Sequence, residues 1–130
     1  MPNSNKHLVY GCISGAAIMA LLKTVWFQKA LRYYPSIEFD WGEFFVKVLI
    51  GGAFGSIGGI LPDLIEPANS PHHRKFFHSK TTGGILIVGG LNLNKLNISY
   101  DAKQIIASCL AGYGSHLYSD SQTSMGLPLL

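Results

Sequence analysis

The sequence predicts an all-α fold, a small bundle of about four helices rich in glycine and apolar residues, formed by residues 1–130 as a single domain. Three observations favour this class. A chain of 130 residues can bury one core but not two. Hydrophobic residues make up 48% of the chain and charged residues only 13%, which is more apolar than an ordinary soluble domain. Two long apolar stretches, 8–27 and 44–61, carry only one charged residue each.

The helices follow from these stretches and from the residues that end them. A first helix is expected from about residue 7 to residue 33, where a Tyr-Pro pair stops it. Asp40 can cap a second helix over about residues 41–60. A last helix is expected over about residues 101–120.

The chain between the second and the last helix is less regular. Three prolines predict an irregular loop over residues 61–71, and a Ser-Pro pair at its end favours a short helical turn through residue 78. Residues 81–91 contain the run Ile-Leu-Ile-Val, which fits a strand by propensity and a helix by its place between helical segments. Residues 92–100 are polar and typical of a loop.

Glycines in the two apolar stretches indicate close helix packing. Gly51, Gly55 and Gly59 recur every four residues and therefore share one helix face. Gly11 and Gly15 repeat the spacing in the first stretch. Small residues at this spacing are typical of helices whose backbones meet closely, above all in membranes.

Both apolar stretches approach the ~20 residues that cross a bilayer. Trp26 and Trp41 lie near their ends, where interfacial aromatic residues occur. The first stretch is not a signal peptide, because no small-residue cleavage site follows it. Two interpretations stay open: membrane-spanning helices, and buried core helices of a soluble oligomer.

Charge and cysteine content argue against other classes of protein. The net charge of +3 comes from ten lysines and arginines that are scattered singly, so nothing supports a nucleic-acid-binding surface. Cys12 and Cys109 stand alone, which is typical of free thiols in a reducing compartment. Two cysteines cannot build a structural zinc finger.

Imidazoles and carboxylates form two clusters in this apolar chain. His116 and Asp120 are four residues apart on the last predicted helix, so they project from one face and can ligate one metal ion. Asp63 and the tract 72–79, which holds three histidines and Arg74, form the other cluster. Ionisable groups in apolar surroundings are costly unless they are paired, protonated or metal-bound. A metal site is therefore the leading hypothesis.

Each part of these clusters also has a simpler interpretation. A histidine and an aspartate four residues apart often form a hydrogen bond without a metal, and a Pro-Asp pair often forms a turn. The tract 72–79 can also be a basic loop that lies against acidic lipid headgroups. Within it, His78 is the preferred ligand, with Ser79 as a supporting or helix-capping residue.

The motifs also have a characteristic order. In chain order they are His7-Leu8, Pro62-Asp63, His73-Arg74, His78-Ser79, Gly112-Tyr113-x-Ser115-His116-x3-Asp120 and Gly126-x-Pro128-Leu129-Leu130. Together they resemble the YdjM family of membrane-bound, metal-dependent hydrolases (the DUF457 group), over nearly the whole chain. The resemblance implies a small helical fold in the inner (cytoplasmic) membrane and a metal-dependent hydrolytic activity.

With the resemblance, the expected metal ligands become five residues: His7, Asp63, His78, His116 and Asp120. A mixed set of histidine and carboxylate favours Zn²⁺, with Mn²⁺ or Fe²⁺ as alternatives, over Mg²⁺ and Ca²⁺, which prefer all-oxygen shells. Five ligands exceed a tetrahedral shell. Either one of them lies outside the shell or the site holds two ions.

The expected reaction is attack of a metal-activated water on a phosphoester or ester. Glu66 is expected to carry the proton, and Arg74, with His73, to stabilise the developing negative charge. Relatives often carry a second acid where this chain has Ile65. Glu66 either replaces that acid or acts as a general base outside the metal shell.

The expected partners are membrane lipid, a small-molecule or lipid-like substrate, and further copies of the chain in a homo-oligomer. The alternative function is a non-catalytic, metal-stabilised membrane adaptor or assembly protein, and a soluble cytoplasmic metal-binding domain is a third class. Arg74, Glu66 and the additional histidines favour catalysis, because a purely structural site needs none of them.

Overall fold

The computed structural model describes residues 4–67, 76–123 and 126–129. These residues form four helices and one short 3-10 helix: α1 (Ser4–Tyr33), α2 (Trp41–Ile65), α3 (Lys80–Asn92), the 3-10 helix Leu93–Lys95 and α4 (Tyr100–Ser121). The expected all-α bundle is therefore confirmed. The apolar run of residues 81–91, for which the sequence left strand and helix open, lies in α3.

Helices α1, α2 and α4 pack against one another and form the core of the bundle. Helix α4 runs antiparallel to α1, since the Tyr100 hydroxyl at its start donates to the carbonyl of Leu22 and Asp120 near its end lies beside His7. Helix α3 lies against α4 and the 3-10 helix, and within the described parts of the chain it approaches neither α1 nor α2 closely.

Glycine lets the three core helices meet at their backbones. Gly11 and Gly15 of α1 face Gly51 and Gly55 of α2, where an added Cβ would overlap backbone atoms of the partner helix. Gly112 of α4 approaches the backbone of Gly55 in the same way. The face predicted from the four-residue glycine spacing is thus the surface on which the core is built.

The helix starts have the caps that their sequences favour. The Asp40 side chain accepts a hydrogen bond from the Glu43 N–H at the start of α2, as expected. Ser79 caps α3 through the Thr82 N–H, and Ser99 caps α4 through the Ala102 N–H. Of the two roles expected for Ser79, helix capping is the one that its contacts show.

The end of α2 differs from the prediction. An irregular loop was expected from residue 61, but the helix continues through Pro62 to Ile65. Proline inside a helix costs about 3 kcal/mol because it removes a backbone hydrogen bond. Pro62 is fully buried in the bundle, and we attribute the continuation of the helix to this packing. Asp63 is consequently held on a helix rather than on a loop; residues 68–75 of the predicted loop and turn lie outside the described residues.

Helices α1 and α2 are long and apolar enough to cross a membrane. Only 22% and 28% of their most apolar windows are buried inside the protein, so most of each window lies at the surface of the bundle. Their lysines are paired: Lys23 lies 2.6 Å from Glu43, and Lys47 lies 2.5 Å from Asp101. Two such helices support membrane association weakly, and they do not define a compartment.

Candidate metal centre

Histidine and carboxylate side chains meet at one end of the bundle. The start of α1 brings His7, the last turn of α2 brings Asp63, and the turn before α3 brings His78. The C-terminal part of α4 brings His116 and Asp120. The five residues expected as ligands, which are far apart in the sequence, are therefore neighbours in the fold.

The separations between their nitrogen and oxygen atoms are short. Nε2 of His116 lies 3.3 Å from Oδ2 of Asp120 and 3.7 Å from Oδ1 of Asp63. Nε2 of His78 lies 3.3 Å from Oδ1 of Asp63 and 3.8 Å from Oδ2 of Asp120. Nε2 of His7 lies 3.6 Å from Oδ1 of Asp120.

These separations fit residues that share a cation. Two ligands of a tetrahedral zinc ion, bonded at ~2.0–2.1 Å, are about 3.3 Å apart. Two groups of three meet the wider condition that all ligand atoms lie within 4.8 Å of one another: His7 with Asp63 and His116, and His78 with His116 and Asp120. His116 belongs to both groups and is thus central to the cluster.

Most of the cluster is removed from solvent. The exposed fractions of His7, His78, His116 and Asp120 are 1%, 1%, 0% and 3%. Nε2 of His116 makes no hydrogen bond to any described residue. A buried nitrogen of this kind is costly unless it binds a proton or a metal ion. The donor set and this nitrogen therefore fit a divalent metal ion.

One side of the cluster is open. The Asp63 side chain retains 28% of its exposure, in contrast to its buried neighbours. The cluster is therefore accessible to solvent on the side of α2 that carries Asp63.

The orientation of His116 follows from a contact with the backbone. Its Nδ1 lies 2.7 Å from the carbonyl oxygen of Gly59, so the Nδ1–H donates to that carbonyl. Nε2 is then the unprotonated atom of the neutral ring, and it faces the two aspartates. The His116 ring also stacks on His7, with ring centroids 3.9 Å apart.

Glu66 contacts the Nδ1 side of the His78 ring, opposite the Nε2 atom that faces Asp63. Its carboxylate accepts hydrogen bonds from the N–H groups of Phe76 and Phe77 and lies 3.2 Å from Nδ1 of His78. Burial by itself would raise the pKa of Glu66, but the hydrogen bonds from His78 and the two backbone N–H groups hold it below its ordinary value. An ionised Glu66 orients His78 so that Nε2 faces the aspartates. These contacts give Glu66 a positioning role, and the proton-carrier role predicted from the sequence stays a prediction.

His78 is more basic than a free histidine in the metal-free protein. Burial would lower its pKa, but the hydrogen bonds with Asp63 and Glu66 and the charge of Asp120 raise it above the ordinary value. The same carboxylates that attract a proton attract a metal cation. A metal ion and a proton therefore compete for this nitrogen.

Two residues that the sequence did not single out hold the turn that carries His78. The Tyr113 hydroxyl donates to the carbonyl oxygen of Phe77 at 2.8 Å, and the Thr82 hydroxyl donates to the carbonyl oxygen of Phe76. Burial, with a smaller effect of the Glu66 charge, raises the pKa of Tyr113 to about 12, so its hydroxyl stays a donor. Tyr113 stands in the motif quoted for the family resemblance, but its spacing gave no sign of this role.

The remaining expected site residues are not placed by the structure. His73 and Arg74, expected to stabilise negative charge, lie outside the described residues.

Comparisons with protein-family models, curated proteins and solved structures found no match to this chain. The family, the metal and the activity therefore stay proposals that depend on the residues themselves.

Proposed function

We propose that this protein is a membrane-associated, metal-dependent hydrolase of the YdjM type that acts on a phosphoester or ester. One observation carries the proposal: three histidines and two aspartates from four separate segments converge in a buried cluster that is open on one side. Ionisable groups that converge in a cleft are typical of functional sites.

The donor set supports Zn²⁺ first, with Mn²⁺ and Fe²⁺ as alternatives. His78, His116 and Asp120 are buried and would hold the ion, while His7 and Asp63 would complete its shell or hold a second ion. When bound, such an ion lowers the pKa of a water molecule and polarises a phosphoryl or carbonyl oxygen.

Residues of the chain would supply the other functions of the site, which are ligand orientation, proton transfer and charge stabilisation. Glu66 and the Gly59 carbonyl orient His78 and His116. Asp63, the more exposed of the two aspartates, borders the accessible side of the cluster, and Glu66, which the sequence predicted as the proton carrier, lies beside Nδ1 of His78. His73 and Arg74 immediately precede the turn that carries His78, and we keep them as the groups that would stabilise the developing charge.

The position of the cluster supports a substrate at a membrane surface. The cluster lies where α1 begins and α2 ends, so it would lie at one boundary of the bilayer if both helices span it. A lipid-like molecule or a lipid headgroup would meet the site there.

A second candidate is a membrane adaptor in which the metal only stabilises the bundle. It is favoured by the origin of the ligands, because α1, α2 and α4 all contribute and a bound ion would fasten the three core helices together. Stabilisation of this kind needs no access from solvent, so the partial exposure of Asp63 supports the hydrolase.

The decisive experiment measures metal content and turnover together. Purified protein is analysed for bound metals and then assayed on panels of phosphoesters and esters, beside Asp120→Asn and the control Glu38→Gln, an exposed acid outside the site. We expect Asp120→Asn to lose metal and activity and Glu38→Gln to keep both. Metal without any turnover would favour the adaptor, and absence of metal from the wild type would refute both candidates.

A further inference from the structure

A groove runs along the bundle on the side away from α2. Because α3 lies against α4 but not against α1, the space between α1 and α3 is left open with α4 as its floor. Its volume is about 480 Å³, in the range of sites that hold small molecules. Ile18, Leu22, Leu86 and Leu110 are among the apolar side chains that line it.

The polar groups of the groove are collected at one end. Asn94, Lys103 and Gln104 line that end, whereas the other end, at Leu117, is apolar. Along α4, the distance from Lys103 to Leu117 is about 21 Å. One leaflet of a bilayer has a hydrocarbon depth of roughly 15 Å, half of the ~30 Å core, so the groove is long enough for one acyl chain.

Two side chains at the polar end of the groove carry N–H groups that make no hydrogen bond to the described residues. Gln104 is only 2% exposed, and its side-chain amide interacts with the Tyr100 hydroxyl. Because the amide carries two N–H donors, at least one of them stays unused by the described residues. Lys103 donates one hydrogen bond, to the Asn94 carbonyl at 3.1 Å, and an ammonium group has three N–H donors. No acidic side chain is among the described residues that line the groove. The polar end therefore has neutral acceptors but no negative charge beside Lys103, and an anionic group fits best.

We propose that this groove binds one anionic phospholipid, with its phosphate at Lys103 and Gln104 and one acyl chain along the groove toward Leu117. A membrane lipid is favoured over a soluble ligand because α1, which forms one wall, is long and apolar enough to span a bilayer and is mostly uncovered. Basic pockets beside membrane helices are typical sites for anionic headgroups.

The headgroup end of the lipid site is far from the metal centre, because Lys103 and His116 are about 20 Å apart along α4. The acyl chain would end at Leu117, next to His116 in the chain, but Leu117 is apolar and is not one of the candidate ligands. The bound lipid would fill the gap between α1 and α3 and so add contacts between α3 and the core helices. This inference does not depend on the hydrolase proposal, and its test needs no activity.

Two glycines offer a matched pair of variants. An added Cβ at Gly114 or at Gly89 meets no atom within 4 Å, so a larger side chain has room at both positions. Gly114 lines the groove and Gly89 does not. Gly114→Phe therefore places a ring in the groove, while Gly89→Phe makes the same change outside it. Lys103→Gln removes the charge, and Lys103→Arg keeps it.

The test uses nanodiscs made of equal parts of phosphatidylcholine and phosphatidylglycerol. Each protein is released into mild detergent, retained lipids are identified by native mass spectrometry, and helix content is checked by circular dichroism. We expect the wild type, Gly89→Phe and Lys103→Arg to retain one phosphatidylglycerol per chain and Gly114→Phe to lose it. Lys103→Gln should reduce the preference for the anionic lipid roughly fivefold, the effect of one basic residue at an anionic surface.

Several results would overturn the proposal. They are a wild type that retains no lipid or shows no anionic preference, retention that Gly114→Phe leaves unchanged, recovery of a free fatty acid in place of a phospholipid, and a dimer whose interface covers the groove. If Gly114→Phe fails to fold, the comparison of Lys103→Gln with Lys103→Arg decides the question alone.

Discussion

Nδ1 of His116 lies 2.7 Å from the carbonyl oxygen of Gly59, although 57 positions separate the two residues in the chain. The bond joins α4 to α2 and turns the opposite edge of the imidazole toward Asp63 and Asp120. The orientation of the most buried histidine in the cluster is thus set by the backbone of another helix. The contact that joins α4 to α2 therefore also orients a residue of the candidate metal centre.

Removal of metal should destabilise the protein. An ion that binds only the folded chain at a concentration about 1,000 times its dissociation constant adds roughly 4 kcal/mol to the free energy of unfolding. We expect a chelator to lower the melting temperature of the wild type and zinc to restore it. Asp120→Asn, which lacks one buried ligand, should melt at the same temperature with and without chelator. A wild type that does not respond to chelator would contradict a bound structural or catalytic ion.

Glu66→Gln should weaken metal binding. The Glu66 carboxylate orients His78 through Nδ1, and loss of such a supporting partner typically costs 10–100-fold in metal affinity or activity. Titration with a competing chelator measures the affinity, with Glu38→Gln, an exposed acid outside the site, as control. If Glu66 were instead the proton carrier suggested by the sequence, turnover would fall while metal affinity stayed the same.

Two glycines of α4 should respond oppositely to alanine. A Cβ at Gly112 would overlap the backbone of Gly55, so Gly112→Ala should reduce the free energy of unfolding by about 1–3 kcal/mol. A Cβ at Gly114 meets open space, and Gly114→Ala should stabilise the helix by about 0.5–1 kcal/mol. Thermal melts of both variants check this. Equal effects would show that α4 does not pack on α2 as described.

A charge in the middle of α2 should interfere with membrane insertion. Leu49 is 74% exposed near the middle of the helix, and a lysine at the centre of a spanning helix costs about 2.5–3.5 kcal/mol. Leu64 is 66% exposed in the last turns, where a lysine side chain can reach the interface. Leu49→Lys should therefore reduce the fraction that resists alkaline extraction from membranes, and Leu64→Lys should not. If neither variant changes that fraction, α2 does not span the bilayer.

Local patterns in the sequence predicted α1, most of α2, α4 and the residues that meet in the cluster, but left α3 open between strand and helix. The spacing of His116 and Asp120 places both on one face of any helix, and the four-residue spacing of the glycines does the same for the packing face of α2. Asp40 was predicted as the cap of α2 from its residue type and its place before the apolar stretch, and it has that role. The features that depend on neighbouring positions could therefore be predicted.

Features that depend on distant residues could not. The continuation of α2 through Pro62 reflects packing that outweighs a local preference against helix. The contact of Glu66 with His78 and the support that Tyr113 gives to Phe77 join segments far apart in the chain. The open space between α1 and α3 also depends on how whole helices pack, which no motif records.

The glycine contacts between α1 and α2 reach almost to the donor atoms: a Cβ on Gly59 would overlap the carbonyl of His7. At that level the backbones of α1 and α2 are in direct contact, with no side chain between them. A single methyl group there would force the helices apart and carry the imidazole of His7 away from Asp120. The separation between these two side chains therefore depends on positions that carry no side chain of their own.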